Sequence, residues 1–269
     1  MSSKTRSSAS AELLNRIADD VRRSGFPLEV HVLNVCSTKN TGRMPSLRYE
    51  HKGEPRELDL LAFFDTIEKK AKGKAAPQHT ATHLIVECKK SEEKPWVFFS
   101  SPSYAFKDQA DFLKYASDFD PYFSRRGLPP LLSQVRPRIN NSHYANPTMP
   151  RCIAYYEAFK GTSGLNEIYR AIDSVVTYLS YTHESHLQRE RETGIYTAFY
   201  LPVVVLDGYL FEVSMQGDQV HVLERQHLQL RTFQGGEVHI IDVVTREHFE
   251  QFFNEVHAFH TELVSAISH

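Results

Sequence analysis

Arg56-Glu57-Leu58-Asp59-Leu60-Leu61-Ala62 and His83-Leu84-Ile85-Val86-Glu87-Cys88-Lys89-Lys90 are the two stretches on which the reading of this chain turns. Each is a short apolar run of strand length with a charge set inside it. An unpaired charge in such a run is costly to bury, so Asp59, Glu87 and Lys89 point to a site rather than to a solvated face. Alternate strand residues share a face. Glu87 and Lys89 therefore point one way, with Val86 and Cys88 pointing the other. Asp59 sits on a strand that pairs nearby, and the same alternation puts Leu58 and Leu60 together on its opposite face.

Upstream, Ala11 to Ser24 carries a helical stripe of Leu14, Ile17, Ala18 and Val21, ended by Gly25. Leu28 to Val35 alternates enough to predict a strand. Leu47 to Tyr49, the turn Lys52-Gly53-Glu54-Pro55, and Leu58 to Phe64 predict a hairpin. Residues 68 to 78 are rich in Lys and Ala and read as an exposed excursion. Trp96 to Phe99 predicts a short strand with core aromatics, and Lys107 to Tyr115 a helix. Arg125 to Pro150 holds five prolines, three asparagines and four arginines, the pattern of a long loop.

Downstream, Ile153 to Phe159 predicts a strand. Gly164 to His183 predicts a helix on Ile168, Ile172, Val175, Val176 and Leu179. Tyr200 to Leu206, Asp207-Gly208 and Tyr209 to Met215 predict a hairpin with a turn at Asp-Gly. Gln219 to Leu223 and Val238 to Val244 add strands. Thr245 is a candidate N-cap for a last helix striped with Phe249, Phe252, Phe253 and Val256. The expected class is therefore α/β (α+β). A central mixed sheet is flanked by helices and extended by a C-terminal β-hairpin region. Residues 1–9 are expected as a tail and residues 10–269 as one domain, with an inserted loop at about 100–150.

Composition narrows the function classes. With 41% hydrophobic and 24% charged residues over 269 positions, the chain can bury a sizeable core. Its three cysteines, Cys36, Cys88 and Cys152, are far apart and form no C-x-x-C pair, which argues against a disulfide framework or a zinc cluster. A cytoplasmic location is expected. No apolar stretch approaches the roughly 20 residues of a membrane helix, so no membrane partner is expected. A net charge of -2 gives no global nucleic-acid signal, though an enzyme needs only a local basic patch.

Convergence of two acids and a lysine suits phosphodiester hydrolysis. A hard cation, Mg²⁺ or Mn²⁺, is held by one or two carboxylates and keeps several waters. Asp59 and Glu87 are the candidate ligands, with the Cys88 backbone carbonyl as a third. Lys89 would orient the attacking water and offset charge in the transition state. The Cys88 side chain is expected in the core and not as a nucleophile.

"RELDLLA", "THLIVECKK" and "KPWVFF" resemble the PD-(D/E)xK, or restriction-endonuclease-like, nuclease superfamily over about residues 10 to 100. Asp59 takes the family's first-acid place, Glu87 the second and Lys89 the lysine. Leu58 stands where the family name has proline. "YLPVVVLDGYLFEVS" and "VHIIDVVTREHFEQFF" resemble uncharacterised bacterial members. The resemblance implies a restriction-endonuclease-like core and a Mg²⁺-dependent endonuclease acting on DNA in bacterial defence or repair. It also implies a fourth catalytic acid from the first helix, for which Glu12 is the best match and Asp19 and Asp20 are rivals. Homodimerisation or a protein partner in a defence complex is compatible with it. The alternative is a catalytically silent nuclease-like binding or regulatory subunit.

Around this site, Lys90 and the loop arginines Arg125, Arg126, Arg136 and Arg138 are the candidate nucleic-acid contacts, since phosphate contacts need no sequence specificity. His183/His186 and His257/His260 repeat an i, i+3 spacing without a third ligand. They read as solvated or helix-C-terminal histidines.

Overall fold

The computed structural model describes residues 9–68, 78–101, 149–159, 166–193, 195–234 and 237–267. Along the chain these form α1 (Ala11–Arg23), α2 (Phe26–Cys36), β1 (Gly42–His51), β2 (Glu54–Glu68), β3 (Gln78–Ser100) and β4 (Arg151–Glu157). Then follow α3 (Glu167–Thr193), β5 (Ile195–Gln216), β6 (Gln219–Glu224), β7 (His227–Gln234) and β8 (Glu237–Thr245). A 3₁₀ turn (Arg246–His248) leads into α4 (Phe249–Ile267). The architecture is α+β, a large mixed sheet with α2 and α4 on one face and α3 on the other.

The β1–β2 hairpin forms as its turn residues require. Lys52 and Gly53 both take positive φ, 51° and 80°, as a two-residue type I′ connection needs, and His51 pairs with Glu54 across it. By contrast, the expected strand at Leu28 to Val35 is helix α2. Its valines favour strands, but Leu28, Val32, Val35 and Cys36 recur at helical spacing and are all buried against the sheet. Pro27 at the first turn completes the helix start. Packing of one face outweighs the β-branched preference.

Strand β3 is long and bent. The expected strands at 83–89 and 96–99 are its two halves, separated by a register shift between Ser91 and Trp96. Its first half pairs antiparallel with β2, its second half antiparallel with β4, and β5 runs parallel along its other edge. Beyond β5 lie β8, parallel, and β6, antiparallel. Strand β7 joins β8 to β4, so the pairings run β3–β4–β7–β8–β5 and return to β3.

The expected hairpin turn at Asp207-Gly208 is absent, and β5 passes through it unbroken. Gly208 lies against the Ser91 carbonyl, where a Cβ would stand 2.4 Å from that oxygen. The glycine serves a close strand approach and not a turn. The chain reverses later, at Gly217 with φ 60°, where Gln216 pairs with Gln219.

Two apolar cores sandwich the sheet. One lies under α2 and α4 and contains Leu60, Val86 and Cys88, with Phe249, Phe252, Phe253, Val256 and Phe259 from α4. The other lies under α3 and contains Ile85, Trp96 and Phe98, with Ile168, Ile172 and Val175. The helical stripes expected on α3 and α4 are the buried ones. The stripe on α1 is not: Leu14, Ile17 and Val21 are about half exposed, and α1 buries no residue. The first helix of the packed fold is therefore α2. No described helix is long and apolar enough to cross a membrane. The expected exposed excursion at 68–78 lies almost wholly outside the described residues, as do the helix expected at 107–115 and nearly all of the proline-rich loop.

Candidate active site where two strands part

Strand β2 leaves β3 at Asp59. The β2–β3 ladder ends at Leu60–Val86. The β1–β2 ladder continues past this point but lacks a Ser46–Asp59 pair, and Ser46 takes φ 46°, uncommon for a residue other than glycine. This kink breaks the alternation of β2. Leu58 packs under α3 while Leu60 packs under α2 and α4. The expectation that both share the face opposite Asp59 holds only for a regular strand, and here the strand turns between them.

The gap is filled by the Asp59 side chain. Its Oδ2 accepts the Cys88 backbone N–H at 2.7 Å, just beyond the last ladder pair. Its Oδ1 has no hydrogen-bond partner among the described residues. Burial raises the Asp59 proton affinity, while the Cys88 amide and the Lys89 charge lower it, with the net shift upward.

On β3 the alternation holds. Val86 and Cys88 enter the α2/α4 core, and Glu87 faces α3. Its Oε1 accepts from Lys89 Nζ at 2.6 Å and its Oε2 from Ser174 Oγ at 2.7 Å. The Glu87 side chain is 9% exposed and that of Lys89 24%. Burial, and then the Asp59 charge, push the Glu87 carboxyl up to about 7 against the pull of Lys89 and Ser174. For Lys89, burial favours the neutral amine, but the charges of Glu87, Asp59 and Glu167 outweigh it and hold the ammonium above its ordinary range. The Asp59 charge thus raises the proton affinity of Glu87, beside a firmly charged ammonium, and this gathers two acids and one cation at a single point of the sheet. The Cys88 thiol, pushed well up by burial and the neighbouring acids, stays protonated in the core.

Three further residues join this centre that the strand motif does not contain. Ser174 stands mid-helix on α3, with no motif to mark it. Glu29 lies on α2, where the charges of Asp59 and Glu57 add to burial in raising its proton affinity and Lys89 opposes them. Reading 28–35 as a strand hid it. Tyr49 feels the Glu87 charge and meets Tyr178 of α3 edge-on at 5.0 Å, forming an aromatic wall.

Glu12 is not brought to the trio. It stands on the exposed α1, without a hydrogen-bond or ion-pair partner among the described residues. Its rivals are placed likewise: Asp19 pairs with Arg22 at 2.7 Å on the surface, and Asp20 is exposed. Because α1 buries no residue, the packed helix that brings an acid towards the centre is α2. Lys90 donates to the Arg22 carbonyl at 2.7 Å and ties β3 to the last turn of α1. Arg125, Arg126, Arg136 and Arg138 lie outside the described residues. Among the described residues no group of three or more His, Cys, Asp and Glu side chains is arranged to hold a metal, so a cation here would rest on two carboxylates, main chain and water.

His260, expected as a solvated or helix-C-terminal histidine, is buried within α4. Its Nδ1 and Nε2 lie 3.0 Å and 3.1 Å from the hydroxyls of Thr82 and Thr66, and it joins α4 to the sheet.

The chain matches no family model, no curated protein and no solved structure.

Proposed function

We propose that this chain is a metal-dependent nuclease, built on a restriction-endonuclease-like core and cutting DNA. The observation that carries the reading is the meeting of Asp59, Glu87 and Lys89 at the point where β2 parts from β3. The donor set suits a hard divalent cation. Among the described residues Asp59 keeps an oxygen without a partner, and Glu87, though engaged at both oxygens, retains acceptor capacity as a carboxylate. Asp59, Glu87 and the Cys88 carbonyl would hold Mg²⁺ or Mn²⁺. Bound there, the ion would stabilise charge on the phosphoryl oxygens and lower the pKa of a bound water. Lys89 holds a proton and a positive charge beside that position, where it can orient the attacking water and offset developing negative charge. The Cys88 amide fixes the Asp59 carboxylate, and the protonated thiol behind it stays out of the chemistry.

A second reading is favoured by one feature. Both oxygens of Glu87 accept from protein donors, Lys89 and Ser174. A nuclease-like module that only binds or regulates, as one subunit of a larger complex, would keep such a self-paired site. Incubation of supercoiled plasmid and of RNA with Mg²⁺ or Mn²⁺ separates the two readings. A nuclease cuts one of them, and Asp59→Ala and Lys89→Ala abolish the cut. No cleavage by the wild-type chain, or cleavage unchanged in both variants, removes the nuclease assignment.

A further inference from the structure

Helix α3 carries three hydroxyls whose bonds can be compared. Ser180 Oγ donates back to the Val176 carbonyl at 3.1 Å, and Thr182 Oγ1 to the Tyr178 carbonyl at 2.7 Å. Both follow the usual habit of helical Ser and Thr, which bond to the preceding turn. Ser174 departs from it. Its hydroxyl leaves the helix and donates to Glu87 Oε2 at 2.7 Å, a contact between residues 87 positions apart.

The helix that presents Ser174 is well anchored. Ile168, Ala171, Ile172, Val175 and Val176 are all buried beneath it. The N-terminus of α3 is held from a distant strand, where the carboxylate of Glu157 accepts the backbone N–H of Glu167. Ser174 is therefore a fixed donor. With Lys89 on Oε1 and Ser174 on Oε2, the Glu87 carboxylate is gripped at both oxygens. Remove Ser174, and the only grip left among the described residues is Lys89, a long side chain on the same strand. Glu87 is then free to rotate about its last torsion, which is broad for a carboxylate.

We propose that Ser174 is a positioning residue, which holds the Glu87 carboxylate in one orientation and so preorganises it, together with Asp59, for a divalent cation. The proposal rests on the reading of Asp59 and Glu87 as the cation's ligands. Partners that orient a ligand in this way typically contribute 10–100-fold in metal affinity.

The test is Mn²⁺ titration by calorimetry on the wild-type chain, Ser174→Ala, Ser174→Thr and Ser180→Ala, with steady-state cleavage kinetics alongside. Ser174→Ala is expected to weaken Mn²⁺ binding by roughly 10–100-fold and to lower kcat with KM unchanged, while still unfolding in one cooperative transition. Ser174→Thr keeps a hydroxyl that can take either of two helical rotamers, and restores affinity to within about threefold. Ser180→Ala, which deletes a hydroxyl bonded among the described residues only to its own helix, binds as the wild type. Equal Mn²⁺ affinity in wild type and Ser174→Ala overturns the proposal and leaves the metal site standing. So does a Ser174→Thr variant as weak as Ser174→Ala, since the hydroxyl is then irrelevant. A wild-type chain that takes up no Mn²⁺ overturns the metal-site reading and the proposal with it.

Discussion

Asp59 Oδ2 accepts the backbone N–H of Cys88 at 2.7 Å, and so a side chain replaces main chain where two strands part. A buried amide left without a partner costs about 1–3 kcal/mol. Asp59→Ala removes the acceptor and the charge together, whereas Asp59→Asn removes only the charge. The two variants are thus expected to differ in stability by about 1 kcal/mol, with Asn the more stable. Urea unfolding of both measures this. Equal midpoints mean that the bond does not hold the strands at this point.

Gly208 is the second structural test. A methyl group there meets the Ser91 carbonyl oxygen at 2.4 Å, and that oxygen is backbone and cannot swing away. Gly208→Ala is expected to cost about 1–3 kcal/mol through forced strand displacement. Gly53→Ala meets nothing within 4 Å, and only its positive φ opposes it. It is expected to cost about 1 kcal/mol. The order of the two melting temperatures checks this, since an open Asp-Gly turn at 207–208 would leave Gly208→Ala the milder change.

These residues also mark what the sequence could convey. Strand parity on β3 was legible, because Glu87 and Lys89 against Val86 and Cys88 need only an alternation of period two. The packed helices α3 and α4 were legible from stripes of period 3.6. What failed was each place where a local signal had a tertiary cause. The valines of 28–35 favour a strand in isolation, but the segment packs as α2. Asp207-Gly208 carries turn chemistry, yet its glycine answers to the carbonyl of Ser91 on another strand. Leu58 and Leu60 share a parity that the kink at Asp59 cancels. Ser174 reaches Glu87 across 87 positions, and no local pattern encodes that contact.

His260 gives the fold a pH response away from the acids. Burial, and then the nearby His257, lower its pKa to about 4, while Asp65 opposes them. Both ring nitrogens lie within hydrogen-bond reach of threonine hydroxyls. The folded state therefore keeps His260 neutral at pH values where the unfolded chain, at its usual 6.5, has taken a proton. Stability from this group is complete above about pH 6.5. It declines as pH falls towards 4, because the unfolded state binds more protons over that window. Allowing for solvent screening, the loss is about 1–2 kcal/mol. Comparing wild type with His260→Gln by urea unfolding at pH 7 and at pH 4.5 isolates it. The wild type is expected to lose more stability on acidification than the variant, and parallel losses would show that His260 does not titrate out of place.

Glu29 and Glu12 put the choice of helix to a functional test that follows from the proposed reaction. The resemblance implies an acid from the first helix, and in sequence order that helix is α1. In the structure α1 buries nothing, whereas α2 brings Glu29 within electrostatic range of Asp59 and Lys89. An acid acting at the centre must stand on a helix that the sheet fixes in place, since misplacement of about 1 Å can cost 10²-fold in rate. Glu29→Gln is therefore expected to lower the cleavage rate by at least about tenfold, the order of one lost charged contact of 1.4 kcal/mol or more. Glu12→Gln is expected to change the rate by less than about twofold, as for a surface substitution within ±0.5 kcal/mol. Single-turnover cleavage with Mn²⁺ measures both. The reverse order, with Glu12→Gln the slower enzyme, would mean that α1 docks on the site during the reaction and that the fourth acid comes from it.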